Sequence, residues 1–202
     1  MGKGGEAIHL EVKEHFGWSS HRRLGGIPFA EYMRRQEQHR QAEIAATIDA
    51  VPFMDRAGDI YGYNHFICDT SGSICEVVDA DDPDDPVLTA LHQNSLIIWL
   101  RGSDAHLDTL VARFNKAPKP MYTRTDAMTA RWTTYLDQTG LDEAAVDPDD
   151  FIRWSYRQIL HDRLPLYQNI ADKWGITVDA SALSGIRDAS EFYAIIADRL
   201  PD

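Results

Sequence analysis

Over most of the chain apolar and polar residues recur with a helical rhythm, and in only three places do apolar residues run together as in a strand. Ile8, Val12 and Phe16, joined by Leu10, have mixed helical spacing and predict a helix over Glu6–Phe16, stopped at Gly17. Phe29–Ile48 contains no Gly or Pro, is rich in Ala, Glu, Gln and Arg, and follows Pro28, so it predicts a long helix. Val51–Ile60 predicts another, closed by Gly62. Further helices are expected at Pro86–His92, from a Ser103 or Asp104 cap to about Phe114, and at about Thr125–Gln138. Two more follow: Pro148–Trp174, interrupted near Pro165, and Ser190–Leu200, with Phe192, Ile195, Ile196 and Leu200 on one stripe. The strand-like runs are His65–Asp69 (H-F-I-C-D), Ser95–Arg101 (S-L-I-I-W-L-R) and Ile176–Asp179, and Asp79–Pro86 reads as a solvated acidic loop. Strands separated by helices predict parallel pairing through crossover connections. The expected fold class is therefore α/β, with a three-layer parallel sheet and flanking helices.

Composition narrows the class of function. With 202 residues the chain fits one domain, and 20 Lys+Arg against 32 Asp+Glu leave a net charge of −12. Neutralising phosphates requires a basic surface, so broad binding to nucleic acid or to an acidic membrane is not expected. No apolar run approaches the roughly 18 residues of a membrane span. Glu6, Glu11 and Glu14 interrupt the N-terminal region, which does not read as a signal peptide. Cys68 and Cys75 are too few for a disulfide framework and their C-x6-C spacing is not that of a zinc site. Both read as reduced thiols of a cytoplasmic protein. The oligomeric state is left open.

Few residue patterns point to chemistry. Asp69 ends an apolar run and is followed by Thr-Ser-Gly-Ser; there it either faces a ligand crevice, holding a magnesium-bound water, or caps the turn. Met1–Gly5 (M-G-K-G-G) precedes a predicted helix and supplies Gly2, Lys3 and Gly4. It reads either as the end of a phosphate loop lacking its hydroxyl residue or as a tail. The arginines and lysines Arg34, Arg35, Arg40, Arg113, Lys116, Lys119, Arg153, Arg157 and Arg163 fall in clusters that suit a small anionic ligand, or else pair with neighbouring acids. The eight histidines form no metal-ligand spacing.

Taken in order, several motifs resemble the shikimate-kinase-like members of the nucleoside-monophosphate-kinase type of P-loop fold. Gly2-Lys3 and the helix to Gly17 resemble the end of the phosphate loop and its helix. Ile27–Tyr32 followed by His39-Arg40-Gln41-Ala42-Glu43 resembles the substrate-side helix. Thr70-Ser71-Gly72-Ser73 stands in place of the family's T-G-G-G turn, and Arg163-Leu164-Pro165-Leu166-Tyr167 with Ile176–Asp179 resembles its ending. Bacterial proteins loosely labelled ATPases are similar around I-C-D-T-S-G-S-I-C-E and K-P-M-Y.

The resemblance implies one P-loop-kinase-like domain over residues 1–202, with a helical insertion or lid at about 117–147. It implies an ATP-dependent small-molecule kinase or ATPase using Mg2+. Gly2, Lys3 and Gly4, with Arg113 and Lys119, would hold the nucleotide. Arg40, Ser71 and Gly72 would hold the substrate, Asp69 the metal, and Arg163 the transferred phosphoryl group. Three features depart from the family: Gly4 replaces the loop hydroxyl, no carboxylate stands at Ser19-Ser20-His21, and the first, central strand has no counterpart. They leave as alternatives a non-catalytic binding or assembly module that keeps this fold, and a mostly helical interaction protein with no nucleotide site.

Overall fold

The computed structural model describes residues 27–62, 65–70, 72–119 and 121–200. The expected N-terminal helix, Gly2, Lys3, Gly4 and Ser71 lie outside them. Eight α-helices are described: α1 Phe29–Asp49, α2 Val51–Tyr61, α3 Ile74–Val77, α4 Pro86–Asn94, α5 Asp104–Lys116, α6 Thr125–Thr139, α7 Pro148–Trp174 and α8 Ala189–Ala197. Two strands, β1 Ile97–Arg101 and β2 Gly175–Asp179, pair in parallel with Ile97 opposite Gly175 and Arg101 opposite Asp179.

Local chemistry accounts for most of these elements. Pro52 stands in the first turn of α2, and Gly62 closes the helix at φ 64°, a left-handed position that costs glycine nothing. Asp85 caps α4 by accepting from the backbone N–H groups of Val87 and Leu88, and it accepts a third from Asp79. The expected solvated loop is thus anchored by a buried carboxylate at its end. Helix α7 runs through Pro165 without the expected interruption. At Gly175 a Cβ would collide with the carbonyl of Ile97, so the first ladder position of β2 accepts only glycine.

The expected three-layer parallel sheet of P-loop-kinase type is not what the chain forms. The described residues are 68% helical, with a two-stranded parallel sheet. The correction falls mainly on His65–Asp69. This segment has strand-like composition but lies outside any ladder, with Phe66 and Ile67 exposed. A strand exists only where a neighbour takes its backbone N–H and C=O groups, and a run of apolar residues does not provide that neighbour.

The chain divides into two units. Unit 1 comprises Met1–Gln41 and Thr109–Leu160, and unit 2 comprises Ala42–Asp108 and His161–Asp202. Residues 117–147 fall in unit 1. Its core is aromatic: Phe29 stacks on Trp132, Phe114 on Tyr156, and Phe151 meets both Trp132 and Tyr135 edge-on. Met128, Ile152 and Ile159 fill the space between, and the Tyr32 hydroxyl donates to the Met121 carbonyl at 3.0 Å. Unit 2 has two smaller clusters. One gathers Cys75, Val78, Val87, Leu88, Leu91 and Ile170; the other gathers Ile176, Val178 and Ile196 around the sheet. No described helix is long and apolar enough to cross a membrane.

Candidate functional site

Within unit 2 a polar cluster is built around the short helix α3. Its sequence, I-C-E-V, places one carboxylate among apolar residues, and Cys75, Glu76 and Val77 are all buried. Burying Glu76 requires an opposite charge. Arg163 of α7 supplies it, its Nε donating to Glu76 Oε1 at 2.5 Å, with Arg163 only 4% exposed. Burial disfavours the charged guanidinium, but the Glu76 carboxylate outweighs that, and the Arg163 pKa stands above its ordinary value.

One turn further along α7, the Tyr167 hydroxyl donates to the carbonyl of Gly72. Burial pushes the Tyr167 phenol well above its ordinary value, and the Cys75 thiol against its hydroxyl adds to this. Ser73 Oγ donates to the Glu43 carboxylate, at 3.2 and 3.3 Å to its two oxygens. The ring of Tyr167 stacks on Trp99 of β1, with centroids 5.9 Å apart. Glu43, Gly72, Ser73, Cys75, Glu76, Arg163 and Tyr167 thereby tie α1, α3, α7 and the turn at Gly72-Ser73 together inside unit 2. The arrangement holds a charge pair and a phenol away from water and fixes the segment that precedes α3.

The residues expected to form a phosphate-handling site are distributed differently. Gly72 and Arg163 meet through Tyr167. Asp69 is exposed on the 65–70 segment, and its charge, after burial, helps push the Cys68 thiol up. Arg40, Arg113 and Lys119 belong to unit 1. Arg40 donates to Glu37 of the same helix, Nη2 to Oε1 at 2.9 Å, and that bond raises its pKa above the ordinary value. Arg113 and Lys119 are exposed. Among the described residues no group of three or more His, Cys, Asp or Glu side chains is placed to hold a metal ion. Both cysteines are free thiols.

Glu76 is the residue that sequence reasoning missed. The signal was present: a lone carboxylate inside I-C-E-V-V needs a buried cation, though fifteen arginines compete to provide it.

The surface of unit 2 is equally distinctive. Of the ten exposed large apolar side chains among the described residues, nine belong to unit 2 and only Leu141 to unit 1. Five of them, Phe53, Ile60, Tyr61, Phe66 and Ile67, stand within α2 and the segment after it, with Phe53 63% and Ile67 89% exposed. On α2, Val51, Met54 and Ala57 turn inward while Phe53 and Ile60, two turns apart, remain in water. No family model, no curated protein and no solved structure matches this chain.

Proposed function

We propose that this chain is a binding or assembly module that works through the surface of unit 2. The observation that carries this reading is the concentration of exposed apolar side chains there, nine of ten among the described residues. Scattered surface hydrophobics need no explanation, but a local concentration leaves water in contact with area that a partner would cover. The buried Glu76–Arg163 pair and the Tyr167–Gly72 bond support it by fixing Gly72 and α3, and the Tyr193 hydroxyl meets His65 Nδ1 at 2.6 Å next to Phe66 and Ile67. Anchoring lowers the ordering cost that binding would otherwise incur. Two free thiols fit a cytoplasmic setting.

The phosphotransferase reading, with ATP and Mg2+, rested on a motif resemblance whose phosphate-loop residues Gly2, Lys3 and Gly4 lie outside the described residues, and the three-layer sheet that the resemblance implied is not formed, so the binding reading is preferred. The test compares the wild-type chain with a Phe53→Ser, Ile67→Ser double variant. Quantitative cross-linking in extracts of the native cell should give a discrete complex for wild type and at least tenfold less of it for the variant. Calorimetry with magnesium–ATP should give no heat of binding for either. Micromolar binding of magnesium–ATP together with unchanged cross-linking would overturn the reading.

A further inference from the structure

The charge of the chain is divided as unevenly as its exposed apolar surface. Of 32 acidic residues twenty lie in unit 2, with six of the 20 basic ones, so that unit carries more than the whole net charge of −12 while unit 1 is slightly basic. Four of those six are already held by acids of the same unit: Arg101 by Asp179, Arg163 by Glu76, Lys173 by Asp81 and Arg187 by Glu191. The acidic excess reaches α2. Asp49, Asp55 and Asp59 are exposed there, and Arg56 is the one Lys or Arg between residues 49 and 70. Val51, Met54 and Ala57 take the core side of α2, which leaves Asp55 and Asp59 on the solvent side of the Phe53–Ile60 stripe. Asp55 and Asp59 stand one turn apart, an arrangement of like charges that costs a helix stability. Phe53 and Ile60 are seven residues apart, the spacing at which one helix presents anchors to another.

Resting on the assembly reading above, we propose that the partner of unit 2 is a basic amphipathic helix of another protein. Its apolar stripe lies along Phe53 and Ile60, and its Lys or Arg residues face Asp55 and Asp59. Burial of the two anchors, 63% and 55% exposed in the single chain, supplies affinity. The acidic field supplies the rate of encounter and the choice of sign. Cations set against Asp55 and Asp59 also relieve the repulsion between them. The same field counts against other occupants. A second copy of this chain brings a unit as acidic as this one, and nucleic acid or an anionic membrane brings phosphates.

Fluorescence anisotropy tests this with the full chain and three synthetic helical peptides. One carries a leucine stripe among lysines, the second the same stripe among glutamates, and the third the same lysines with serine in place of every leucine. The lysine–leucine peptide should bind at least tenfold tighter than either of the others, and more weakly as salt rises. Phe53→Ser with Ile60→Ser should weaken it at least tenfold and leave circular dichroism unchanged, because both side chains are exposed. Asp55→Asn with Asp59→Asn should weaken it less and flatten the salt dependence. Hydroxyl-radical footprinting should oxidise Phe53 and Ile60 readily in the isolated chain and spare them once the peptide is bound. No binding, or equal binding of the lysine and glutamate peptides, would overturn the proposal. So would equal binding of the leucine and serine peptides, which is charge attraction alone. Phe53 and Ile60 shielded already in the isolated chain would overturn it too, since its own residues would then occupy the face. The cross-linking comparison of Phe53 and Ile67 asks only whether unit 2 assembles. A failed peptide series with the cross-linked complex still lost in that variant removes this inference and leaves the assembly reading intact.

Discussion

Units 1 and 2 use the same alphabet to opposite ends. Among the described residues, unit 1 turns its aromatic residues inward, where Phe29, Phe114, Trp132, Tyr135, Phe151 and Tyr156 form one core, and leaves one large apolar side chain exposed. Among its described residues, unit 2 divides its apolar residues between two small clusters, buries the Glu76–Arg163 salt bridge, and leaves nine large apolar side chains in water. A unit that satisfies its own apolar surface has little to offer a partner. A unit that does not is less stable alone, and it gains from association what it has not gained from folding.

The sharpest way to break this contrast lies at the buried pair. Glu76→Ala leaves the Arg163 guanidinium buried without its carboxylate, and should cost about 4 kcal/mol in denaturant unfolding. Replacing both partners together, Glu76→Leu with Arg163→Met, should cost far less, because no charge is then stranded. Equal losses for the single and double variants would show that the pair is not what holds α3 against α7.

Next in size is the core of unit 1. Ile152 is fully buried, and Ile152→Ala should cost about 3 kcal/mol by leaving a cavity among rigid rings that cannot close it. The equivalent truncation in unit 2, Val178→Ala, removes less volume and should cost about 2 kcal/mol. If Val178 proved the more sensitive, the assignment of the stronger core to unit 1 would be wrong.

Asp85 gives a smaller effect. Asp85→Ala removes acceptors from Val87, Leu88 and Asp79 N–H groups, and should lower stability by about 1–2 kcal/mol. Asp85→Asn should recover most of that loss. Smaller still is Phe53→Ser with Ile67→Ser, which touches exposed side chains and should leave unfolding within about 0.5 kcal/mol of wild type. A loss of several kcal/mol would mean that these side chains are covered by the chain itself.

The least energetic test is a titration. Hydrogen bonds first from Arg34 and then from Arg35 lower the Glu31 carboxyl from its ordinary 4.5 to about 2. Because the folded value is depressed, whatever Glu31 contributes is present above pH 4.5 and is lost as pH falls toward 2. NMR should place its midpoint near 2, and Arg34→Gln should raise it. In unit 2 Asp81 is lowered by Lys173 and then Asn169, so Lys173→Gln should raise that carboxyl in the same way.

Much of the helical framework was legible because its signals are local. Phe29–Ile48 became Phe29–Asp49, Val51–Ile60 ended at Gly62 as its glycine requires, and Pro148–Trp174 formed over the expected span. Even the two paired strands were visible from their apolar continuity. What could not be read was pairing. His65–Asp69 has the composition of a strand, yet strand formation depends on a neighbour elsewhere in the chain. Likewise Arg163 was singled out as the strongest cation, but its partner stands 87 residues away, and no local pattern joins them. Pro165 was expected to break α7; the helix continues through it because Leu166, Tyr167 and Ile170 beyond it pack with Cys75, Leu88 and Leu91, which outweighs one lost backbone bond.

The β1–β2 ladder also has a history in time. Its partners stand 78 residues apart, so β1 leaves the ribosome well before β2 exists. At roughly 5–20 residues per second, that wait is on the order of 4–16 s, whereas the helices between them form in microseconds. Closing so long a loop comes late, after local structure has formed. Through that interval Ile97–Leu100 is an apolar strand with both edges bare, the state in which nascent chains meet holding chaperones or each other. Slowing synthesis after Arg101 should therefore lower the yield of soluble chain.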